Sequence, residues 1–120
     1  MTGVSEAEGR SLPRPIPRGA AEAIADRLRV LGQPVRVRII DRLHLDGEQT
    51  VGGLAGLLGE RLNNVSQHLA VLRVAGTVSR RHRGREAWYR LDEDVAVLYE
   101  AIARSLASEA ARRGRLIDPL

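Results

Sequence analysis

The stretch Leu62–Ala75, with the sequence LNNVSQHLAVLRVA, is followed by Gly76 and predicts one helix with two unlike faces. Val65, Leu69 and Leu72 recur at i, i+4 and i+7, which is the spacing of an apolar stripe on a helix. The positions off the stripe carry groups that can pair with base edges or phosphates, and they are Asn63, Asn64, Ser66, Gln67, His68 and Arg73. The stretch therefore predicts either a DNA-recognition helix or an ordinary amphipathic surface helix. The sequence on either side of it favours the recognition helix.

The composition narrows the class of protein. The chain has 120 residues, about one domain's worth, and no cysteine, which excludes disulfides and thiolate metal sites. No apolar run approaches the ~20 residues that a membrane-spanning helix needs. The N-terminus also lacks a continuous apolar signal core, so we expect a cytoplasmic protein with no membrane contact.

The positive charge is concentrated in one part of the chain. The formal net charge is +4, and all 19 basic residues are arginine. Residues 61–90 hold seven arginines and one acid, Glu86, so this segment carries a charge of +6 and the remainder −2. A local excess of this kind is typical of nucleic-acid binding, although a solvated basic surface has the same composition.

Three helices are predicted ahead of the opening stretch. Residues 1–18 contain Pro13, Pro15 and Pro17 and predict a flexible arm. Helical periodicity and capping signals then predict helices over Ala20–Leu31, Val35–Leu45 and, with Thr50 as N-cap, Val51–Leu58.

The second and third of these helices have identifiable inner positions. In the second, the core candidates are Ile39, Ile40 and Leu43, whereas the side chains expected to face mostly outward are Arg36, Arg38 and Arg42. The third contains three glycines, so packing must stabilise it through Val51, Leu54, Leu57 and Leu58. A short helix, a tight turn and an amphipathic helix together predict a helix-turn-helix.

After Gly76 the periodicity changes. Strands are predicted over Thr77–Arg83 and Ala87–Leu91, with a hairpin turn between them, and Asp92 is expected to cap a last helix. A basic hairpin directly after a helix-turn-helix is a wing. The predicted fold is mainly α with a small β-hairpin, a winged helix-turn-helix of about five helices and a two-stranded wing. Its domain spans residues 19–111, and residues 112–120 are expected to form a frayed tail.

The last helix has more apolar surface than its own core requires. We therefore infer that it pairs, together with the first helix, with a second copy of the chain. The predicted dimer contacts are Ile24, Leu28, Val95, Leu98, Ile102 and Leu106.

Over residues 20–106 the chain resembles the ArsR/SmtB family of bacterial winged-helix repressors. The resemblance depends on LGQPVRVRI from Leu31, TVGGLA from Thr50, VSQHLAVLRVAG from Val65 and RGREAWYRL from Arg83. It implies a homodimer that binds a palindromic operator in double-stranded DNA, with one recognition helix in each major groove.

The resemblance also assigns the DNA contacts. Its base-contacting positions correspond to Asn63, Asn64, Ser66, Gln67 and His68, of which His68 could equally pack or bind the backbone of the turn. The arginines that remain as candidates for phosphate or minor-groove contacts are Arg61, Arg73, Arg81, Arg83 and Arg85.

The usual metal sites of this family are altered. Thr50 and Gly52 stand where one site has its two cysteines. The second site corresponds to Asp92, Asp94, Ser105 and Ser108, which leaves Asp92 and Asp94 as the candidate ligands. The histidines His44, His68 and His82 have no metal-binding spacing, and His44 near a helix end is expected to be solvated or to make a cap contact.

The predicted function is repression of a nearby operon through a palindromic operator. The alternatives are a winged-helix protein-interaction module, and a regulator that senses its effector through a non-standard site or a partner protein. That effector would be a weakly bound divalent metal such as nickel or zinc, or a small organic molecule; a co-regulator protein also stays open. The arginines at residues 80–85 favour DNA binding over an interaction module. An enzyme is not expected, because the sequence has no cysteine, no carboxylate pair near a histidine and no glycine-rich phosphate loop.

Overall fold

The computed structural model describes residues 11–114, which form five helices and three strands. In chain order the elements are α1 (Arg18–Leu31), α2 (Pro34–Asp46), β1 (Gln49–Thr50), α3 (Val51–Leu58), α4 (Leu62–Val74), β2 (Val78–Arg83), β3 (Glu86–Leu91) and α5 (Glu93–Arg112). The predicted winged helix-turn-helix with five helices is confirmed.

The helix boundaries follow from local capping. The Gln33 side chain accepts a hydrogen bond from the backbone N–H of Arg36, and Pro34 occupies the first turn of α2. Thr50 Oγ1 accepts from the N–H of Gly53 at 3.0 Å, which confirms Thr50 as the N-cap of α3. Gly59 ends α3 in the left-handed region, at φ 66°, where glycine pays no Cβ penalty. These caps place the turn that leads into α4.

The sheet has one strand more than predicted. Its order is β1-β3-β2 with antiparallel pairing, so the wing hairpin is extended by Gln49 opposite Tyr89 and Thr50 opposite Trp88. The two-stranded prediction missed β1 because a strand of two residues is too short to show any periodicity. The strand fixes the segment before α3 to the base of the wing.

The core lies where α2, α3, α4 and β3 meet. Val65, Leu69 and Leu72 are fully buried, as are the predicted core side chains of α2 to within a few per cent. In α3, Leu54 and Leu58 are buried, but Leu57 is 43% exposed, so its predicted packing role is wrong. The apolar stripe of α4 therefore fixes which of its faces remains outside.

Some predicted boundaries fall beyond the described residues. The predicted arm includes residues 1–10 and the predicted tail includes residues 115–120, and both segments lie outside the part that the structure describes. Helix α1 begins at Arg18, two residues before the predicted start, and α5 continues to Arg112. Within residues 11–114, no helix is long and apolar enough to cross a membrane.

Candidate nucleic-acid interface

Helix α4 presents a polar surface opposite its buried stripe. The side chains of Asn63, Ser66 and Gln67 are exposed, and Arg61 and Arg73 are exposed at the two ends of the helix. No side chain caps the start of α4, and its first turn contains no acid. The first-turn N–H groups therefore remain open to an anionic acceptor.

Asn64 differs from Asn63, Ser66 and Gln67. It is half-buried, and its Nδ2 donates to Glu60 Oε1 at 3.0 Å. Glu60 is also 3.5 Å from the Arg38 guanidinium, which donates to the backbone oxygen of Leu58 at 2.9 Å. In this structure Asn64 thus supports the turn between α3 and α4, although the sequence suggested a base contact.

The His68 side chain is also held by a residue of another helix. Arg36 Nε donates to His68 Nδ1 at 3.1 Å, and Arg36 Nη1 donates to the backbone oxygen of Val30 at 2.9 Å. Arg36 is half-buried, so the expectation that it faces outward is wrong. The acceptors of its guanidinium lie at the end of α1 and on α4.

The wing carries a cluster of arginines on one face of β2. Arg81 and Arg83 lie 3.0 and 3.5 Å from the Glu48 carboxylate, and the Arg83 guanidinium stacks over the Trp88 ring at 4.9 Å. Arg85 is exposed at the turn between the strands. Glu48 was not predicted, because only the pairing of β1 with β3 brings it to the wing.

An apolar groove lies between α1, α2 and α5. It has a volume of about 380 Å³, and its lining includes Leu28, Leu98, Ile102 and Leu106, with Ile102 and Leu106 more than half exposed. Ile24 is exposed on α1 as well. Val95 is only 5% exposed and belongs to the core, so it forms the floor of the groove instead of a projecting contact.

A second polar cluster joins α2 to α5. His44 Nε2 lies 2.8 Å from Glu100 Oε2, and Tyr99 donates its hydroxyl to Asp41 at 2.5 Å. Burial, the hydrogen bond to Asp41 and the nearby carboxylates raise the pKa of Tyr99 to about 12. His44 therefore has a side-chain partner, in place of the expected solvation or cap contact.

The family's metal positions do not form a ligand set here. Asp92 Oδ2 accepts from the backbone N–H groups of Asp94 and Val95, so this carboxylate serves as the N-cap of α5. Ser105 and Ser108 offer only hydroxyls. In residues 11–114 no group of three or more His, Asp or Glu side chains is placed to hold a metal ion.

Comparison with known proteins identifies the family. A protein-family model described as a helix-turn-helix domain matches residues 31–78. The HTH-type transcriptional repressor SmtB of Mycobacterium tuberculosis is 37% identical over 101 residues, covering 82% of this chain and 74% of the relative. The chain belongs to the ArsR/SmtB family. A biofilm growth-associated repressor of Agrobacterium fabrum is 38% identical over 92 residues, covering 76% of this chain and 78% of that protein.

Solved structures agree with the family assignment. The transcriptional repressor BigR of Xylella fastidiosa superposes with a TM-score of 0.62 at 36% identity, over 68% of this chain and 84% of that one. A homodimeric winged helix-turn-helix DNA-binding domain of Mycobacterium bovis, described as a possible ArsR-family regulator, has a TM-score of 0.68 at 27% identity. The match covers 98% of this chain and 100% of that domain. This ArsR/SmtB protein is thus a DNA-binding transcriptional regulator and not an enzyme.

Proposed function

We propose that the protein binds a palindromic operator as a homodimer and represses a nearby operon. The observation that carries the proposal is the exposed face of α4, where Asn63, Ser66 and Gln67 are open to solvent, as are the arginines of the wing. This function would place the protein with the DNA in the cytoplasm.

The exposed side chains suit direct contacts with bases. A Gln or Asn amide can make two hydrogen bonds to adenine in the major groove, and a Ser hydroxyl can contact base edges or phosphate. Since Asn64 and His68 are held by other side chains, we assign the principal base contacts to Asn63, Ser66 and Gln67.

Phosphate contacts would fix the helix in the groove. Arg61 and Arg73 lie at the two ends of α4, and the first-turn N–H groups of α4 lack a side-chain cap. Arg81, Arg83 and Arg85 would place the wing against the backbone or in the minor groove. The concentration of charge in residues 61–90 supports this division of roles.

A second copy would cover the groove between α1 and α5. The groove is lined almost entirely by apolar side chains, and the Mycobacterium bovis domain of the same fold is a homodimer. Two symmetric recognition helices match a palindrome whose half-sites are about one DNA turn, or a multiple of it, apart.

The altered metal positions favour a regulator that is not switched by a tightly bound metal at either family site. Thr50 and Asp92 are both engaged as helix caps. A small organic effector or a co-regulator protein therefore remains the simpler means of control.

Salt dependence of DNA binding tests the proposed function. We expect the wild type to prefer one palindrome from its own upstream DNA and to lose affinity steeply as salt rises. Replacing Arg83 and Arg85 together by Ala should weaken binding to all duplexes and flatten the slope of log K against log salt by about 2. Replacing Arg112 and Arg113 together by Ala, at the end of α5, removes the same charge, and this matched control should leave the slope unchanged. Absent or salt-insensitive binding by the wild type would contradict the proposal.

A further inference from the structure

We propose that Arg36 is a positioning residue for DNA recognition, because it fixes α4 relative to α1 through the imidazole of His68. The proposal rests on the operator binding proposed above. It assigns His68 to the support of the recognition helix and not to a base contact.

A single guanidinium joins three elements. Arg36 lies in the first turn of α2, donates through Nε to His68 Nδ1 at 3.1 Å, and donates through Nη1 to the backbone oxygen of Val30 at 2.9 Å. Val30 O belongs to the last turn of α1, where helix carbonyls have no intrahelical partner. The backbone N–H of Arg36 is held in turn by the Gln33 side chain.

The same contacts connect the two functional surfaces. Helix α1 carries Ile24 and Leu28 of the proposed dimer surface, and α4 carries the exposed amides. In a symmetric dimer, the angle between α1 and α4 sets the distance and tilt between the two recognition helices. Arg36 therefore acts on the fit to both half-sites at once, without touching DNA.

The hydrogen bond from Arg36 requires an acceptor at Nδ1 of His68. A guanidinium only donates hydrogen bonds, so His68 Nδ1 must offer a lone pair. The imidazole is then neutral, with its proton on Nε2. A protonated imidazole would have two donors, and its Nδ1–H would point at the Arg36 cation.

Among the charged groups around His68, Arg36 is the one that determines the hydrogen bond to its imidazole. Helix α3 has no charged side chain. The charged side chains of α1 are all exposed, and they are Arg18, Glu22, Asp26, Arg27 and Arg29. Strand β2 contributes basic side chains and His82. The Arg38–Glu60 pair lies one helical turn nearer the start of α4, where Glu60 accepts from Asn64. In the part of the chain that the structure describes, the hydrogen bond to the His68 imidazole comes from Arg36.

Three variants separate positioning from charge. Asn places its Oδ1 where His has Nδ1, so His68→Asn keeps an acceptor that cannot be protonated. His68→Leu removes the acceptor at similar size. Arg36→Lys keeps the charge but loses the planar fork that reaches two acceptors.

The readout is the ratio of the dissociation constants for a scrambled duplex and for the operator, at fixed salt and at pH 7.5. A charge gained near DNA strengthens binding to both duplexes, so the ratio reports fit and not attraction. At pH 7.5 we expect His68→Leu and Arg36→Lys each to lower the ratio about tenfold, and the double variant to lower it no further. His68→Asn should keep the wild-type ratio.

The two proposals fail in different ways. A wild type without operator preference at pH 7.5 contradicts the proposed function, and the positioning role falls with it. If the wild type prefers the operator and the His68→Leu and Arg36→Lys variants prefer it equally well, only the positioning role is overturned. Thermal melting checks that each variant folds. Nitrogen NMR of His68 in the free protein gives a test without DNA, since a proton found on Nδ1 at pH 7.5 would also overturn the role.

Discussion

At the scale of single residues, the structure separates the exposed polar side chains of α4 from those that neighbouring residues hold. Asn64 and Gln67 are both amides on α4, yet Asn64 donates to Glu60 and is half-buried, whereas Gln67 is exposed. Sequence periodicity placed both off the apolar stripe. It could not distinguish them, because the partner of Asn64 lies in the preceding turn and not on the helix.

Tyr99 gives a residue-scale prediction on stability. Its pKa is raised to about 12, with burial as the first cause and the hydrogen bond to Asp41 next. A tyrosine whose pKa is higher in the folded state than in the unfolded state contributes stability that is complete below about pH 10 and is lost as pH rises through about 12. The free energy of unfolding should therefore decrease as the pH rises from about 10 to about 12.

The amino-acid composition makes this effect measurable. The chain has no lysine or cysteine and two tyrosines, so few other groups titrate in that range. Tyr99→Phe should flatten the pH dependence of urea unfolding between about pH 10 and 12. An unchanged slope in Tyr99→Phe would assign the dependence to other groups.

At the scale of elements, the wing is held by a carboxylate outside the hairpin. Glu48 is paired with Arg81 and Arg83 in the free protein and would compete with phosphate for both. We expect Glu48→Gln to tighten binding to any duplex by a few-fold at low salt and to steepen the salt dependence.

A matched variant controls for net charge. Glu93→Gln removes the same charge from a residue whose side chain is 91% exposed and lies 4.0 Å from Arg90. It should strengthen DNA binding less than Glu48→Gln. Equal effects of the two variants in a fluorescence anisotropy titration would show that the wing arginines are not restrained by Glu48.

Elements with local signals were predictable, and contacts across the chain were not. The apolar stripe of α4 and the Thr50 cap depend on neighbours within one helical turn, and both were predicted. The Arg36–His68 and Glu48–Arg81 hydrogen bonds join residues 32 and 33 positions apart. No local pattern encodes such pairs, because they depend on how α1, α2 and the sheet pack around α4.

At the scale of the whole molecule, the proposed operator binding requires a dimer built on α1 and α5. Ile102 is 55% exposed in the protomer and lines the apolar groove. A carboxylate there would be buried without a partner in the dimer but solvated in the monomer. Ile102→Glu should therefore give a folded monomer, as measured by sedimentation equilibrium and circular dichroism.

The control for this prediction lies on the same helix. Val97 is 71% exposed and lies outside the lining of the groove, so Val97→Glu should remain dimeric. A dimeric Ile102→Glu variant would place the interface elsewhere on the molecule.

In the proposed complex, the exposed face of α4 contacts operator bases. The most direct test is to measure the affinity of the wild type and of Gln67→Ala for the operator and for each of its single base-pair substitutions. We predict that Gln67→Ala loses about 1–3 kcal/mol of discrimination at one symmetric pair of positions and keeps it elsewhere. Equal losses on every duplex would make Gln67 a backbone contact and contradict the account.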